Sequence, residues 1–145
     1  MVRKRERDEA YILDLCDDVL GMQALRQHRF PFLLGDAGSS GRRVCLPVDA
    51  YYPDLRLVIE YREAQHTRPI AHFDKPHRLT ISGVHRGEQR RVYDQRRREV
   101  LPVNGITLIE LDHTLFSHTL NGRLHRVPSE DRAVLTRLLT GLTSP

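Results

Sequence analysis

The sequence has only two cysteines, Cys16 and Cys45, and no CxxC pair. This disfavours a disulfide framework and a zinc site built from thiolates, and it suits the reducing cytosol. No apolar run approaches the roughly 18 residues that a membrane-spanning helix needs. The opening residues, MVRKRERDEAY, are charged and lack the apolar segment of a signal peptide. We therefore expect a cytoplasmic protein that does not enter a membrane.

Lysine is also scarce, since Lys4 and Lys75 are the only two and nearly all of the 23 basic residues are arginine. The formal net charge of +4 favours polyanionic partners, although an arginine bias can also arise from genome base composition. Hydrophobic residues make up 39% and charged residues 29%, as in a folded globular protein. The length predicts one compact domain, residues 1–145.

The pattern of apolar residues predicts an α/β fold in which a mixed β-sheet is flanked by helices. Gly21 ends the first predicted helix, Pro102 ends the second and Ser129 caps the last. The run GITLIELD at 105–112 is typical of a covered central strand. The predicted elements in chain order are a helix at 6–21, strands at 26–35, 44–52 and 55–62, a loop at 63–87 with a short strand at 79–82, a basic helix at 88–101, a strand at 105–112 and a helix from 129.

The stretch VDAYYPDLRLVIEYR predicts a β-hairpin that turns at Pro53 and Asp54. If the turn is centred between these two residues, Asp49 and Glu60 are diagonal neighbours on one face, and Arg62 shares that face. A slip of one residue would send the two acids to opposite faces. Asp54 is interpreted as a turn residue, because aspartate beside proline favours local hydrogen bonds.

Two carboxylates on one face repel each other unless a cation neutralises them. Mg²⁺ suits such a pair, because it takes one or two carboxylates and completes its shell with water and phosphate oxygens. Bound to Asp49 and Glu60, it would activate a water molecule and stabilise charge on a phosphate, with Mn²⁺ as a substitute. The alternative interpretation is a half-exposed hairpin whose two acids are balanced by Arg62.

The segments LPVDAYYPDLRLVIEYREAQH and VYDQRRREVLPVNGITLIEL resemble the very-short-patch-repair (Vsr)-like branch of the PD-(D/E)XK, or restriction-endonuclease-like, nucleases. The resemblance runs from about Glu9 to Leu111 and preserves the order of the family's motif. It implies a restriction-endonuclease-like core and metal-dependent cleavage of DNA, with Asp49 as the central metal ligand. Glu60 is then a second ligand, either direct or through water.

The resemblance also matches Glu9 to the family's helix glutamate, His66 to its histidine and Asp94 to its helix aspartate. Arg62 stands where the lysine of a D…ExK site would be; it stays protonated, so it can hold a phosphate or neutralise a carboxylate but cannot act as a base. His66, whose ordinary pKa lies near neutrality, is then the better candidate to accept the proton. Its alternative is an exposed loop histidine, or a polar contact with Gln65 at the end of the strand. Glu9 and Asp94 would orient His66 or the attacking water, or they are simply surface acids of two helices. A histidine metal site in the 63–87 loop is disfavoured, because its histidines lack a ligand spacing.

The second predicted helix carries the one dense basic patch of the sequence. Such a patch predicts contacts with nucleic-acid phosphates, and its alternative is a solvated helix face. The patch consists of Arg86, Arg90, Arg91, Arg96, Arg97 and Arg98.

Three functions are compatible with these features. The first is a Mg²⁺-dependent DNA endonuclease used in repair, restriction or a mobile element. The second is a DNA-binding module of the same fold with weakened catalysis, and the third is a regulatory domain whose basic helix binds an acidic protein. RNA is the alternative polymer, and specificity would come from loops or a partner protein because no separate DNA-reading motif is present. The oligomeric state is not predicted.

Overall fold

The computed structural model describes residues 7–64 and 86–142. His66 and the short strand predicted at 79–82 lie outside these residues. The described helices and strands are α1 (Asp8–Leu20), β1 (Leu25–Leu34), β2 (Cys45–Tyr52), β3 (Leu57–Arg62), α2 (Arg86–Val103), β4 (Thr107–Asp112) and α3 (Pro128–Leu139). None of these helices combines the length and the apolar character needed to cross a bilayer.

The strands form one four-stranded sheet in the order β1-β2-β3-β4. Neighbouring strands are antiparallel from β1 to β3, and β4 is parallel to β3. A parallel neighbour requires a crossover, and α2 lies in the chain between these two strands. The predicted α/β architecture, a mixed sheet flanked by helices, is confirmed.

The central strand of the sheet is β3, whose six residues are all buried. The run at 105–112 was predicted to be central, and this prediction is wrong for the described part of the chain. There, β4 lies at the edge of the sheet and is only partly buried. An apolar run indicates that the faces of a strand are covered, but it carries no information on the position of the strand in the sheet.

Hydrophobic side chains fill the space on both faces of the sheet. On one face the sheet packs against α1 and α3, and on the other it packs against α2. Central buried residues of the first core are Ile12, Leu13, Tyr52, Ile59, Leu111, Leu135 and Leu139. Those of the second core are Phe30, Leu33, Leu46, Val48, Val58, Leu101 and Ile106. Because β3 faces a core on each side, any charge on it must be neutralised inside the protein.

The helix ends follow the predicted signals in part. Gly21 ends α1 in the left-handed conformation, with φ of 69°, as predicted. Pro102 does not end α2, which continues to Val103; a proline in the last turn removes only one N–H donor near the point where the helix stops anyway. Ser129 does not cap α3, because Pro128 is already the first helical residue and fixes a helical φ.

The turn between β2 and β3 determines their register. Pro53–Leu55 form one turn of 3-10 helix, closed by Arg56 N–H donating to the Pro53 carbonyl at 3.1 Å, with Arg56 in the left-handed conformation. Asp54 is therefore a turn residue, as predicted. Tyr52 pairs with Leu57, so the turn is centred one residue later than predicted and the register is shifted by two. A shift of two residues preserves the faces on which side chains lie.

The hydroxyl of Tyr52 joins the sheet to α1 and should contribute measurably to stability. Tyr52 is fully buried and donates to Asp17 Oδ1 at 2.6 Å. Tyr52→Phe should lower the free energy of unfolding by about 1.5 kcal/mol, the usual size of a hydrogen bond to a charged group, in urea denaturation. Tyr51→Phe removes a half-exposed hydroxyl and should change it by less than about 0.5 kcal/mol. Equal losses in both variants would contradict this assignment.

Candidate active site

Asp49 and Glu60 lie across from each other on β2 and β3. The described pairing of the two strands stops at Ala50 and Ile59, and one further step in the same register places the two acids directly opposite. They are therefore direct neighbours, where a diagonal arrangement was predicted. The main-chain N–H of Asp49 donates to Glu60 Oε2 at 2.5 Å, and the N–H of Tyr61 donates to Asp49 Oδ2 at 2.8 Å. Each carboxylate thus accepts a hydrogen bond from a main-chain N–H of the facing strand, where a main-chain carbonyl would normally be the acceptor. This hydrogen bond holds the carboxylate in place.

Gln27 on β1 links Asp49 to α1. The register of β1 and β2 places Gln27 across from Asp49. Its Nε2 atom lies 3.5 Å from Asp49 Oδ1 and 3.5 Å from Glu9 Oε2, so it reaches both acids at the limit of hydrogen bonding. Gln27 has φ of 51°, a left-handed conformation that is uncommon for glutamine and that concentrates at functional sites. Side chains from α1, β1, β2 and β3 therefore meet here.

The electrostatics of these acids show that negative charge is crowded at this place. Burial, together with the charge of Asp49, raises the pKa of Glu60 to about 7, against the lowering effect of Arg97 and Arg62. Burial also raises the pKa of Glu9 to about 7, with added repulsion from Asp49 and a nearby glutamate. The pKa of Asp49 is raised by burial too. A cation bound at Asp49 would lower the pKa values of these acids.

The donor atoms fit a hard cation that keeps most of its own water. Within residues 7–64 and 86–142, no three His, Cys, Asp or Glu side chains form a ready group for a metal ion. Mg²⁺ does not require such a group, because one or two carboxylates are enough when water and substrate phosphate complete the octahedron. Asp49 is the best placed ligand, since its Oδ1 atom has only the long contact to Gln27.

Arg62 is buried and bonded to three carboxylates. Its side chain is 9% exposed; Nη1 lies 3.0 Å from Glu60 Oε1 and 2.9 Å from Asp94 Oδ1, and Nη2 lies 3.0 Å from Glu110 Oε1. Its remaining donor, Nε, is buried and has no partner among the described atoms. Of the two roles predicted for Arg62, the structure shows the neutralisation of Glu60.

Asp94 and Arg97 extend this network across α2. Asp94 Oδ1 forms an ion pair with Arg62 Nη1 at 2.9 Å and accepts a hydrogen bond from Arg97 Nη1 at 3.1 Å. Arg97 also donates through Nε and Nη2 to the carbonyl of Pro47, at 3.1 and 2.9 Å. Asp94 was predicted to orient His66 or a water molecule; in the described structure it holds the two arginines that face Glu60. The network ties α2 to β2 and β3 beside the acids.

The predicted basic patch is largely engaged in contacts within the protein. Arg96 donates to Asp36 and to the carbonyl of Leu34, and Arg97 is only 12% exposed. Arg91 and Arg98 are the more open members, with side chains 59% and 46% exposed, although they pair with Glu88 and Glu110. Arg90 is half-buried, and the side chain of Arg86 lies outside the described structure. Phosphate contact by the patch stays a prediction, and Arg91 and Arg98 are its best placed members.

Three residues of the site were not predicted from the sequence. Gln27 and Glu110 lie on strands with no motif to mark them. Glu63 adds to the repulsion at Glu9, and it also accepts a hydrogen bond from the Glu9 main chain at the start of α1. The sequence did contain a signal for Glu63. It follows Tyr61 by two residues, so the alternation of side chains along β3 places both on the same face of the sheet.

The raised pKa of Glu9 predicts a specific pH dependence of stability. The folded protein retains this proton up to about pH 7, whereas the unfolded chain loses it near the ordinary value of 4.5. The free energy of unfolding therefore falls as pH rises between these values, because only the unfolded chain ionises there. Glu9→Gln abolishes the titration. The difference in the free energy of unfolding, variant minus wild type, should therefore increase from about pH 4.5 to 7 and stay constant above pH 7. Urea denaturation across this range measures it, with Glu130→Gln on the exposed start of α3 as the control. A constant difference at all pH values would contradict the assignment.

Arg62 should be essential for stability because it neutralises buried charge. Arg62→Ala leaves Glu60 and Asp94 without their shared partner, and we expect a loss of about 3–5 kcal/mol in the free energy of unfolding. Arg62→Lys should recover little of this loss, because an ammonium is a point charge that cannot reproduce the planar fork.

The matched control for Arg62 is Arg91→Ala, which removes an exposed i,i+3 pair with Glu88 and should cost less than about 0.5 kcal/mol. Chemical denaturation measures all three variants. If Arg62→Lys were as stable as the wild type, the bridging role of Arg62 would be wrong.

Comparison with known proteins adds one relative. No protein-family model and no solved structure matches the chain. A stretch of 70 residues is 37% identical to "Uncharacterized protein 307L" of Invertebrate iridescent virus 6. This stretch is 48% of the chain and 32% of the viral protein, so the chain spans about a third of that relative. The chain is thus similar in part to a viral protein whose name states no activity.

Proposed function

We propose that this protein is a Mg²⁺-dependent DNA endonuclease with a restriction-endonuclease-like core. The observation that carries the proposal is that Glu9 from α1 and Glu60 from β3 both lie close to Asp49 on β2. Gln27 reaches Glu9 and Asp49 at 3.5 Å each, Glu60 accepts from the main-chain N–H of Asp49, and the charge of Asp49 adds to the raised pKa of both glutamates. Folding forces this repulsion on the protein, and a bound cation would remove it.

The architecture is consistent with the proposal. An antiparallel β2–β3 pair carries the acids, β4 adds to it in parallel after the α2 crossover, and α1 brings Glu9 to the same place from the opposite face. The order of these elements agrees with the order of motifs on which the family resemblance rests. The acids lie on the rigid central strands of the sheet, which suits a site that must hold a phosphate in one orientation.

Asp49, and Glu60 through a water molecule, would hold the cation. Bound there, Mg²⁺ supplies Lewis-acid stabilisation of the phosphate oxygens and lowers the pKa of a water molecule. Glu60 is the weaker ligand, because its Oε1 atom is already paired with Arg62 and its Oε2 atom accepts from the main chain. Its first task is to fix Asp49, and through Arg62 it fixes the position of α2.

The residue at the lysine position does not take part in proton transfer. Arg62 stays protonated and is closed in by Glu60, Asp94 and Glu110, so it cannot accept a proton or reach a solvent-exposed phosphate. Proton transfer from the attacking water is assigned to His66, which follows β3 by four residues and lies outside the described structure. Glu9, on the far side of Asp49, would orient that water.

Cleavage of supercoiled and single-stranded DNA, with Mg²⁺, Mn²⁺ or EDTA, tests the proposal. The wild type should nick DNA only with a divalent cation, and Asp49→Asn should lower the rate by about 100-fold or more, since it removes the charge of the principal ligand. The matched control is Asp54→Asn, an exposed aspartate of the β2–β3 turn, which should keep full activity.

A second readout does not depend on cleavage. Mg²⁺ should raise the melting temperature of the wild type by mass action, and Asp49→Asn should abolish this shift. Without metal the variant should melt higher than the wild type near pH 7, because one of the repelling charges is gone. Salt-sensitive DNA binding without cleavage in any metal would favour the binding module, and failure of both binding and cleavage would refute each nucleic-acid function.

A further inference from the structure

Four aromatic rings form a continuous row on β1 and β2. His28 stacks on Tyr51, with ring centroids 5.1 Å apart and an interplanar angle of 26°. Phe30 meets both rings edge-on at 4.7 Å, and Phe32 stacks on Phe30 at 5.0 Å and 20°. We call His28, Phe30, Phe32 and Tyr51 the aromatic row. Its rings already have the separations and angles in which aromatic groups attract each other.

The row is buried at its centre and open at its ends. Phe30 is 6% exposed and belongs to the core beneath α2, whereas Phe32 is 38% exposed and His28 and Tyr51 are half-buried. Because β1 is the edge strand of the described sheet, no other described strand covers the free side of Phe32. The buried ring of Phe30 therefore supports the rings on either side of it, and the ring of Phe32 remains accessible at its end of the row.

Two arginines, Arg29 and Arg43, belong to β1 and to the loop that follows it. Arg29 on β1 donates to the carbonyl of Cys45, and Arg43, in the loop after β1, donates to the carbonyls of Gly35 and Leu34. Within the described ranges neither arginine has a carboxylate as an ion-pair partner, which distinguishes them from the paired arginines of α2. A guanidinium held by carbonyls keeps its whole charge and a fixed position, and it is suited to a phosphate.

The aromatic row begins at the candidate active site. Gln27, which reaches Asp49 and Glu9, directly precedes His28 in β1. Phe32 lies five residues further along the strand, or about 17 Å away at the rise of a β-strand. A chain laid along the row would therefore pass from the open end to the acids. Rings that offer a face, with fixed cations beside them, are the features that bind unpaired nucleic acid.

We propose that the aromatic row is a stacking platform for the bases of single-stranded DNA, which it guides to the acids. This inference rests on the proposed endonuclease function and names its substrate class. The bases of a duplex are already stacked and face inward, so a row of rings offers them little, whereas an unpaired strand can place each base on a ring. Phe32 accepts a base on its outer face, and Arg29 and Arg43 bind the phosphates of the same strand.

The absence of tryptophan from the sequence allows a direct test. Phe32→Trp introduces the only tryptophan of the protein at the open end of the row, and excitation at about 295 nm avoids the tyrosines. Titration with a 12-nucleotide oligo(dT), in EDTA to prevent cleavage, should quench its emission to saturation because a base stacks on the indole. Heparin, a polyanion without bases, should cause no such quenching. The matched control is Leu120→Trp, at a position 99% exposed and distant in sequence, whose emission should change little with either polymer.

Affinity provides the second measurement. Phe32→Leu keeps an apolar contact to Phe30 but removes the aromatic face, and it should weaken oligo(dT) binding by about tenfold while leaving heparin binding unchanged. Equal quenching by heparin and oligo(dT), or equal affinity of Phe32→Leu and the wild type for oligo(dT), would overturn the proposal. Because these titrations contain no metal, they are independent of cleavage: a protein that binds in this way but never cuts refutes the endonuclease function alone, and one that cuts without this stacking refutes the platform alone.

Discussion

The structure depends on the burial of a carboxylate in the central strand. Glu60 is 2% exposed, in a strand with a hydrophobic core on each side, so its charge must be met within the protein. Arg62 meets it from the same strand, and Asp94 and Arg97 complete the arrangement from α2. This network fixes α2 against the sheet at the point where the acids lie. Packing alone would allow the helix to slide along an apolar surface, whereas paired charges in a low dielectric allow one position.

The same burial explains the chemistry that the site offers. The main-chain N–H groups of Asp49 and Tyr61 donate to the carboxylates across the two strands, so both acids are held where the described strand pairing stops. Burial raises the pKa values of both acids and of Glu9 on α1, and the charge of Asp49 adds to the rise at Glu60 and at Glu9. The fold thus keeps these acids together despite their repulsion. In the proposed function the affinity for Mg²⁺ therefore originates in the hydrophobic cores, which supply the free energy that keeps the acids together.

Two groups of arginines can be distinguished in the described structure by the atoms that accept their hydrogen bonds. Those of α2 and β3 are engaged mainly with carboxylates and stabilise the fold, although the density of arginine in α2 had predicted a phosphate-binding helix. Arg29 and Arg43 are bonded to main-chain carbonyls instead, and their charge remains available at the edge of the sheet. A count of basic residues cannot make this distinction, because it depends on which acids the fold brings within reach. Arg29 and Arg43 are therefore the arginines to which the proposed single-strand binding assigns the phosphates.

The sequence by itself determined the elements, because hydrophobic periodicity and residues such as Gly21 act locally: the helices and strands of the described chain lie within a few residues of their predicted positions. It also placed Asp49, Glu60 and Arg62 on one face, since alternation in a strand is a local property. The register was wrong by two residues because Pro53–Leu55 form a 3-10 turn that shifts its centre. Only the tertiary structure decided that β3 is the central strand, that Gln27 meets Asp49 and that Arg62 is enclosed by three carboxylates. These contacts join residues far apart in the chain, and their energies arise from burial, which no local pattern records.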